Sequence, residues 1–156
     1  FCVETRGSVN VLLSPQYLLD CVHKSCEGWT DTPAFQALNS RGVPTAACYP
    51  YTSGRREQIG DCRTSCVNGA PMKMYLKQQG THTYASISAV KAALRQSGVL
   101  VASFNVYEDL LAYSSGVYVH KFGSLIEAHS IRVIGMGVEN GVEYWLVANV
   151  SNKIQQ

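Results

Sequence analysis

The sequence predicts an α+β fold, with helices in the first part of the chain and a sheet in the last part. Two helix-start signals, Ser14-Pro15 and Thr32-Pro33, fall in the first third of the chain. After Gly98 the apolar residues change from helical spacing to continuous runs typical of strands. Helices followed by strands are typical of the α+β class, and 156 residues are enough to bury a substantial core.

The first predicted helix begins at Ser14, whose hydroxyl suits an N-cap, with Pro15 at the first helical position. The residues expected on its inner face are Tyr17, Leu18 and Cys21.

The second predicted helix begins at Thr32-Pro33 and ends at Gly42. Phe35 and Leu38 form its expected buried stripe. Residues 43–71 are rich in proline and glycine, so we predict a loop there that cysteines tie down.

A third helix is predicted over residues 88–97, with Gly98 as its stop. The residues expected to face inward are Val90, Ala93 and Leu94. Strands are predicted over 99–106, 131–138 and 144–148. Asn140-Gly141 between the last two is a strong signal for a tight hairpin turn.

Composition argues against several classes of protein. The net charge of +2 is too small to indicate binding to nucleic acid or to a membrane surface. No apolar run approaches the roughly 18 residues that a membrane-spanning helix needs. Residues 1–6 lack the basic start and apolar stretch of a signal peptide, and the first residue is not Met, so we expect a processed chain or a piece of a longer one.

Six cysteines are many for a chain of 156 residues. Their spacing includes no C-x-x-C pair and no His-rich cluster follows, so disulfides in an oxidising compartment explain them better than a zinc site. We expect no metal ion and no cofactor.

Two segments near the C-terminus point to a catalytic apparatus. Residues 127–137, Glu-Ala-His-Ser-Ile-Arg-Val-Ile-Gly-Met-Gly, surround His129, and residues 144–149, Tyr-Trp-Leu-Val-Ala-Asn, end at Asn149. They resemble the histidine and asparagine segments of papain-family cysteine peptidases, in their cathepsin B-like branch. Residues 13–21, 48–51 and 107–118 resemble that branch's L-S-x-Q-x-L-x-D-C, C-x-P-Y and Y-x-D-F-x-x-Y-x-S-G-V-Y segments, so the likeness covers essentially the whole chain.

The resemblance implies a papain-like fold with two lobes, truncated in this chain. Residues 1–70 correspond to part of the helical lobe. Residues 71–156 correspond to most of the β-barrel lobe, without its C-terminal strands.

The resemblance also implies catalytic roles for His129 and Asn149. In the family the histidine is the base and acid that works on a cysteine thiol, and the asparagine holds the other nitrogen of the imidazole. The nucleophile and its C-G-S-C-W signature are nowhere in these 156 residues, so we expect the chain by itself to be inactive. His23, His82 and His120 are expected to have structural roles only.

Substrate binding is implied for Glu27, Gly28, Trp29 and Ala128. Cys26-Glu27-Gly28-Trp29 matches the family's C-x-G-G segment with one glycine fewer, and Glu127-Ala128 replaces the Gly-Gly that usually precedes the histidine. Val150-Ser151 stands where the family has Ser-Trp after the asparagine. Residues 51–61 match the occluding loop of cathepsin B but contain no histidine, which favours endopeptidase activity over removal of C-terminal dipeptides.

The family pattern pairs Cys48 with Cys66 and Cys21 with Cys62. It places the partners of the residues matching Cys2 and Cys26 upstream of this chain, so we expect these two to be thiols here.

The first functional hypothesis is therefore a piece of a lysosomal, vacuolar or extracellular cysteine endopeptidase. Its partners would be peptide or protein substrates and the N-terminal segment of its own parent chain, with no nucleic acid and no membrane. The alternative is a catalytically dead paralogue that binds peptides or partner proteins. A disulfide-stapled structural module explains the cysteines but not the His and Asn segments.

Overall fold

The structure, a computed structural model, describes residues 8–54, 58–76 and 80–149. It contains two compact units, with the division between Thr83 and Tyr84. The assignment of residues 1–70 and 71–156 to two lobes of the family fold stays a prediction. No helix in the described residues combines the length and apolar character needed to cross a membrane.

The first helical segment lies in the first unit, and its polar residues are the most buried. Helix α1, Pro15–Tyr17, continues into a π-helix, Leu18–His23. As predicted, Ser14 is the N-cap: its Oγ accepts the Tyr17 N–H at 3.0 Å and donates to the Tyr49 carbonyl at 2.6 Å. Gln16 and Asp20 are buried with Cys21, whereas Tyr17 and Leu18 are only partly buried.

A buried network around Gln16 and Asp20 explains this inversion. Gln16 Nε2 donates to Asp20 Oδ1 at 2.8 Å and to Ser53 Oγ at 2.7 Å, while its Oε1 accepts two backbone N–H groups, those of residues 52 and 53. Asp20 also accepts the Gly60 N–H at 2.8 Å and the Tyr49 hydroxyl at 2.9 Å. The backbone N–H groups of residues 52, 53 and 60 lie in an irregular loop and donate to these two side chains instead of to backbone carbonyls. Gln16 and Asp20 are therefore buried against that loop.

Helix α2 spans Asp31–Ser40, with Thr30 as its N-cap. It begins earlier than the Thr32-Pro33 signal predicts, so Pro33 lies within its first turn. Backbone N–H groups there have no partner inside the helix, so proline, which lacks an N–H, is tolerated at this position. Ala37 is its buried residue, whereas Phe35 and Leu38 are partly buried. Gly42 ends the segment as predicted: its φ is 73°, and its N–H reaches the Ala37 carbonyl at 3.1 Å.

Two disulfides stabilise the loop that follows α2. One joins this loop to the π-helix, and the other joins two residues of the loop. They join Cys21 to Cys62 and Cys48 to Cys66, the pairs that the family resemblance implies. Cys26 is exposed, and Cys2 lies outside the described residues.

The second unit combines a helix with a three-stranded antiparallel sheet in the order β1-β2-β3. Its elements are α3 (Ile87–Ser97), β1 (Leu100–Tyr107), a 3₁₀ helix (Glu108–Ala112), β2 (Leu125–Glu139) and β3 (Val142–Ala148). Ser86 caps α3, and Gly98 ends it with φ 75°. The β2–β3 turn is Asn140-Gly141, both residues with positive φ, as the hairpin signal predicts.

Strand β2 begins six residues before the predicted strand, at Leu125. The polar residues Glu127, His129 and Ser130 interrupt the apolar pattern, so the spacing of apolar residues does not predict this part of the strand. Pairing with β1 from Leu100 through Tyr107 provides the backbone hydrogen bonds that hold it extended. The buried core of the unit comprises Ala93, Leu94, Val106, Leu110 and Val133.

A nearly buried carboxylate, Asp109, fixes the chain that leads into β2. Its side chain is 7% exposed and accepts the Tyr118 hydroxyl at 2.6 Å, His120 Nδ1 at 3.1 Å and two backbone N–H groups, those of residues 121 and 122. Burial opposes ionisation, but these hydrogen bonds outweigh it and hold the pKa of Asp109 well below its usual value. Burial and the bond to Asp109 raise the pKa of Tyr118 to about 12.

The raised pKa of Tyr118 predicts a loss of stability at alkaline pH. Above pH 10 the unfolded chain releases this phenol proton, while the folded chain keeps it until about pH 12. The contribution is therefore fully present below pH 10 and is lost as the pH rises through this window. Unfolding curves of wild type and Tyr118→Phe across this window check it: the wild type should lose stability more steeply, and parallel losses would contradict the assignment.

Candidate active site

His129 and Asn149 meet on one side of the sheet of the second unit. His129 lies on β2, and Asn149 directly follows the last residue of β3, which pairs with Arg132. His129 Nε2 lies 2.8 Å from Asn149 Oδ1. Since an amide oxygen only accepts, Nε2 is the nitrogen that carries the hydrogen, and Nδ1 is left with the lone pair in the neutral ring.

An aromatic neighbour across the strands also contacts the imidazole. Phe104 on β1 pairs directly with His129, and the ring centroids lie 6.1 Å apart with the planes at 68°. This edge-on contact limits rotation of the imidazole on the side away from Asn149. Sequence reasoning did not single out Phe104, because the residue opposite the histidine depends on the register of β1 and β2.

This arrangement can position a base. Asn149 fixes the tautomer and the plane of the ring, so the lone pair of Nδ1 is available to a proton donor that approaches it. An imidazole that accepts a thiol proton becomes a cation, and the amide oxygen of Asn149 then stabilises the charged N–H.

The two residues before His129 lie on opposite faces of β2. Glu127 pairs with Val106 and Ala128 with Asn105, and both are exposed. Because successive side chains alternate, Glu127 shares the face of His129, whereas the side chain of Ala128 lies on the other face. A role for Ala128 in substrate binding stays a prediction. Because its side chain lies on the face away from His129, Ala128 would contact a substrate through its backbone atoms.

The other predicted substrate-binding residues lie in the first unit, after the π-helix. Glu27 and Gly28 are exposed, and Trp29 is partly buried. The Trp29 ring stacks on His23 with centroids 4.6 Å apart, and His23 Nε2 lies 2.9 Å from the Glu27 carbonyl. His23 thus shapes this turn. Substrate binding by Glu27, Gly28 and Trp29 stays a prediction.

The comparison with protein families decides the identity. The model for the papain family cysteine proteases matches residues 1–153. The chain belongs to the papain family. The resemblance in the sequence is thereby confirmed, and so is the papain-like α+β fold: procathepsin B S9 from Trypanosoma congolense matches with a TM-score of 0.78 and 29% identity, over 95% of this chain and 52% of that chain.

Curated relatives place this papain-family chain near the cathepsin B-like branch. It is 36% identical over 170 residues to a gut-specific cysteine proteinase of Caenorhabditis elegans, covering 95% of this chain and 51% of that protein. It is 33% identical over 183 residues to cathepsin B-like cysteine proteinase 4 of the same organism, covering 97% and 55%. The chain spans about half the length of these relatives.

Proposed function

We propose that the chain supplies the base half of a cathepsin B-like cysteine endopeptidase. The observation that carries the proposal is the contact of 2.8 Å between His129 Nε2 and Asn149 Oδ1, which leaves Nδ1 as the acceptor. A positioned imidazole of this kind is what a cysteine nucleophile requires, because only its thiolate is strongly nucleophilic. We assign the thiol to a part of the parent protein outside these 156 residues, since the family's nucleophile signature does not occur among them.

In each half of the proposed reaction His129 accepts one proton and then gives it up. Nδ1 takes the thiol proton, and the thiolate attacks the carbonyl carbon of a peptide bond to form a tetrahedral intermediate. The imidazolium returns the proton to the amine, which leaves as the carbon–nitrogen bond breaks, and an acyl thioester remains. Water then attacks the thioester and gives its proton to His129. The carbon–sulfur bond breaks, the imidazolium returns the proton to the thiolate, and the second product leaves as a carboxylic acid.

The loop after Tyr51 supports endopeptidase action on peptide or protein substrates. The stretch that matches the occluding loop of cathepsin B contains no histidine that could bind a substrate carboxylate. Gln16 and Asp20 hold its two described ends through hydrogen bonds to residues 52, 53 and 60. The two disulfides support a lysosomal, vacuolar or extracellular location, where thiols oxidise readily.

One observation favours the second candidate, a catalytically dead paralogue that binds peptides. Glu127 places an exposed carboxylate on the face of His129, where the family usually has a glycine. Such a side chain adds bulk and charge next to the base, which an inactive binding protein tolerates more easily than an enzyme does.

The complete reading frame that contains this chain discriminates between the two candidates. We expect it to encode a C-G-x-C-W segment, and its product to hydrolyse a fluorogenic dipeptide and to be labelled by a peptidyl epoxide under reducing, mildly acidic conditions. His129→Ala should abolish turnover, while His82→Ala, an exposed histidine of the first unit, should not. A reading frame without the cysteine, or a product that binds peptides without turnover, would favour the dead paralogue.

A further inference from the structure

Asn149 begins a sequence that can accept an N-linked glycan. The residues are Asn149-Val150-Ser151, and an asparagine followed by any residue except proline and then by serine or threonine is the acceptor signal. No other asparagine of the chain is followed two positions later by serine or threonine. The signal arises because Val150-Ser151 stands where the family has Ser-Trp, so it is a property of this chain. Val150 and Ser151 lie outside the described residues and contribute through their sequence alone.

The nitrogen that a glycan would modify, Asn149 Nδ2, is open in the structure. Oδ1 is the atom of this side chain that makes a hydrogen bond within the described residues, to His129 Nε2 at 2.8 Å. In the same part of the chain the fully buried side-chain polar atom that lacks a partner is Asn39 Oδ1. Nδ2 of Asn149 is therefore in contact with solvent.

The surface around Asn149 has room for a bulky group. Asn149 directly follows Ala148, the last residue of β3. The two residues before Ala148 are exposed, Leu146 by 52% and Val147 by 39%. N-linked glycans are bulky, polar and confined to protein surfaces, and the end of β3 meets this requirement.

We infer that Asn149 is a glycosylation site, at which Nδ2 receives an oligosaccharide. The inference rests on the part of the proposed function that places the parent protein in the lysosome, in the vacuole or outside the cell. Proteins reach these places through the compartment in which N-linked glycans are transferred. The disulfides Cys21–Cys62 and Cys48–Cys66 are typical of the same oxidising route.

The transfer leaves the contact with His129 intact. Nδ2 attacks C1 of the first N-acetylglucosamine of an oligosaccharide that is carried on a polyprenyl diphosphate. The bond from Nδ2 to C1 forms, the bond from C1 to the diphosphate oxygen breaks, and one proton of Nδ2 passes to a base of the transferase. The substituted amide keeps its carbonyl oxygen, so Oδ1 still accepts the hydrogen of His129 Nε2, while the sugar adds bulk beside the imidazole.

The test uses the product of the complete reading frame, secreted from a eukaryotic host behind a cleavable leader. A peptide N-glycosidase in heavy-oxygen water converts a glycosylated asparagine to aspartate that carries the heavy oxygen, and mass spectrometry locates the label. We expect the label at residue 149 in the wild type. Ser151→Ala should abolish it and Ser151→Thr should keep it, because threonine also completes the signal. Both variants leave Asn149 and His129 in place.

Leu12→Thr is the matched control, since it makes residues 10–12 a second acceptor signal at a position where Asn10 is exposed and Leu12 is 78% exposed. Label at residue 10 of this variant without label at residue 149 would overturn the inference. So would a variant labelled at neither position, because the chain then meets no transferase. Label at residue 149 that survives Ser151→Ala would also overturn it, because the asparagine then deamidates without a glycan.

Hydrolysis of a fluorogenic dipeptide by the same preparations separates this inference from the proposed function. Absence of turnover in both the wild type and Ser151→Ala, with residue 149 labelled in the wild type, would sink the proposed function and leave the glycosylation site in place. Turnover by a wild type that carries no label at residue 149 would overturn the glycosylation site alone.

Discussion

The purified 156-residue chain is expected not to hydrolyse peptide substrates. Without a thiolate beside His129 no acyl-enzyme can form, and loss of the nucleophile from a catalytic triad lowers kcat by a factor on the order of 10⁶. The measurement is hydrolysis of a fluorogenic dipeptide under reducing, mildly acidic conditions, with a complete cathepsin B-like proteinase as the reference.

Two controls make this result decisive. Because the reaction lacks its nucleophile, His129→Ala should not lower the background further. Cys26→Ser tests whether the exposed cysteine of the first unit substitutes for the missing residue. Turnover that a peptidyl epoxide abolishes would show that a cysteine of this chain acts as a nucleophile, and the assignment of the nucleophile to another part of the protein would then be wrong.

The second large effect is expected for Asp20→Ala, which should lower the free energy of unfolding by about 2–4 kcal/mol. The carboxylate is 4% exposed and accepts hydrogen bonds from Gln16, Tyr49 and Gly60. Its removal takes an acceptor from the buried Gln16 amide and from the part-buried Gly60 N–H, and a buried donor without an acceptor costs about 1–3 kcal/mol. The Tyr49 hydroxyl keeps the Asp61 carbonyl, 3.1 Å away, as an acceptor. Urea unfolding followed by tyrosine and tryptophan fluorescence measures the change.

Asp20→Asn is the matched control, because it keeps the shape and one acceptor oxygen. The amide can still accept from Gln16 and Gly60, while the Tyr49 hydroxyl can accept from the new NH₂ group and donate to the Asp61 carbonyl, 3.1 Å away. We therefore expect a loss of only about 1 kcal/mol. Equal losses in the two variants would mean that charge, and not acceptor geometry, holds the network.

Local signals in the sequence predicted the ends of several elements. Ser14 as an N-cap, Gly42 and Gly98 as helix stops and Asn140-Gly141 as the hairpin turn all stand as predicted. Each depends on conformations that a residue and its neighbours prefer, so the sequence is sufficient to find them. The α+β class and the papain family were also evident from the sequence, and the comparisons confirm both.

The predictions failed where distant segments determine burial. The spacing of apolar residues favoured Tyr17, Leu18, Phe35 and Leu38 for the core, but the most buried residues of the same helices are Gln16, Asp20 and Ala37. The two polar side chains are buried because loop residues more than thirty positions away need their hydrogen bonds. Periodicity measures only hydrophobicity along one helix, so it contains no information about such partners.

The sequence by itself determined the family, the order of helices and strands, and the identity of His129 and Asn149 as a pair. Only the tertiary structure decided that these two side chains touch, that Phe104 contacts the imidazole, and that Glu127 shares its face while the side chain of Ala128 does not. The physical reason is register. A shift of one residue between β1 and β2 would change which side chains lie opposite each other, and the backbone hydrogen bonds that fix the register join residues far apart in the chain.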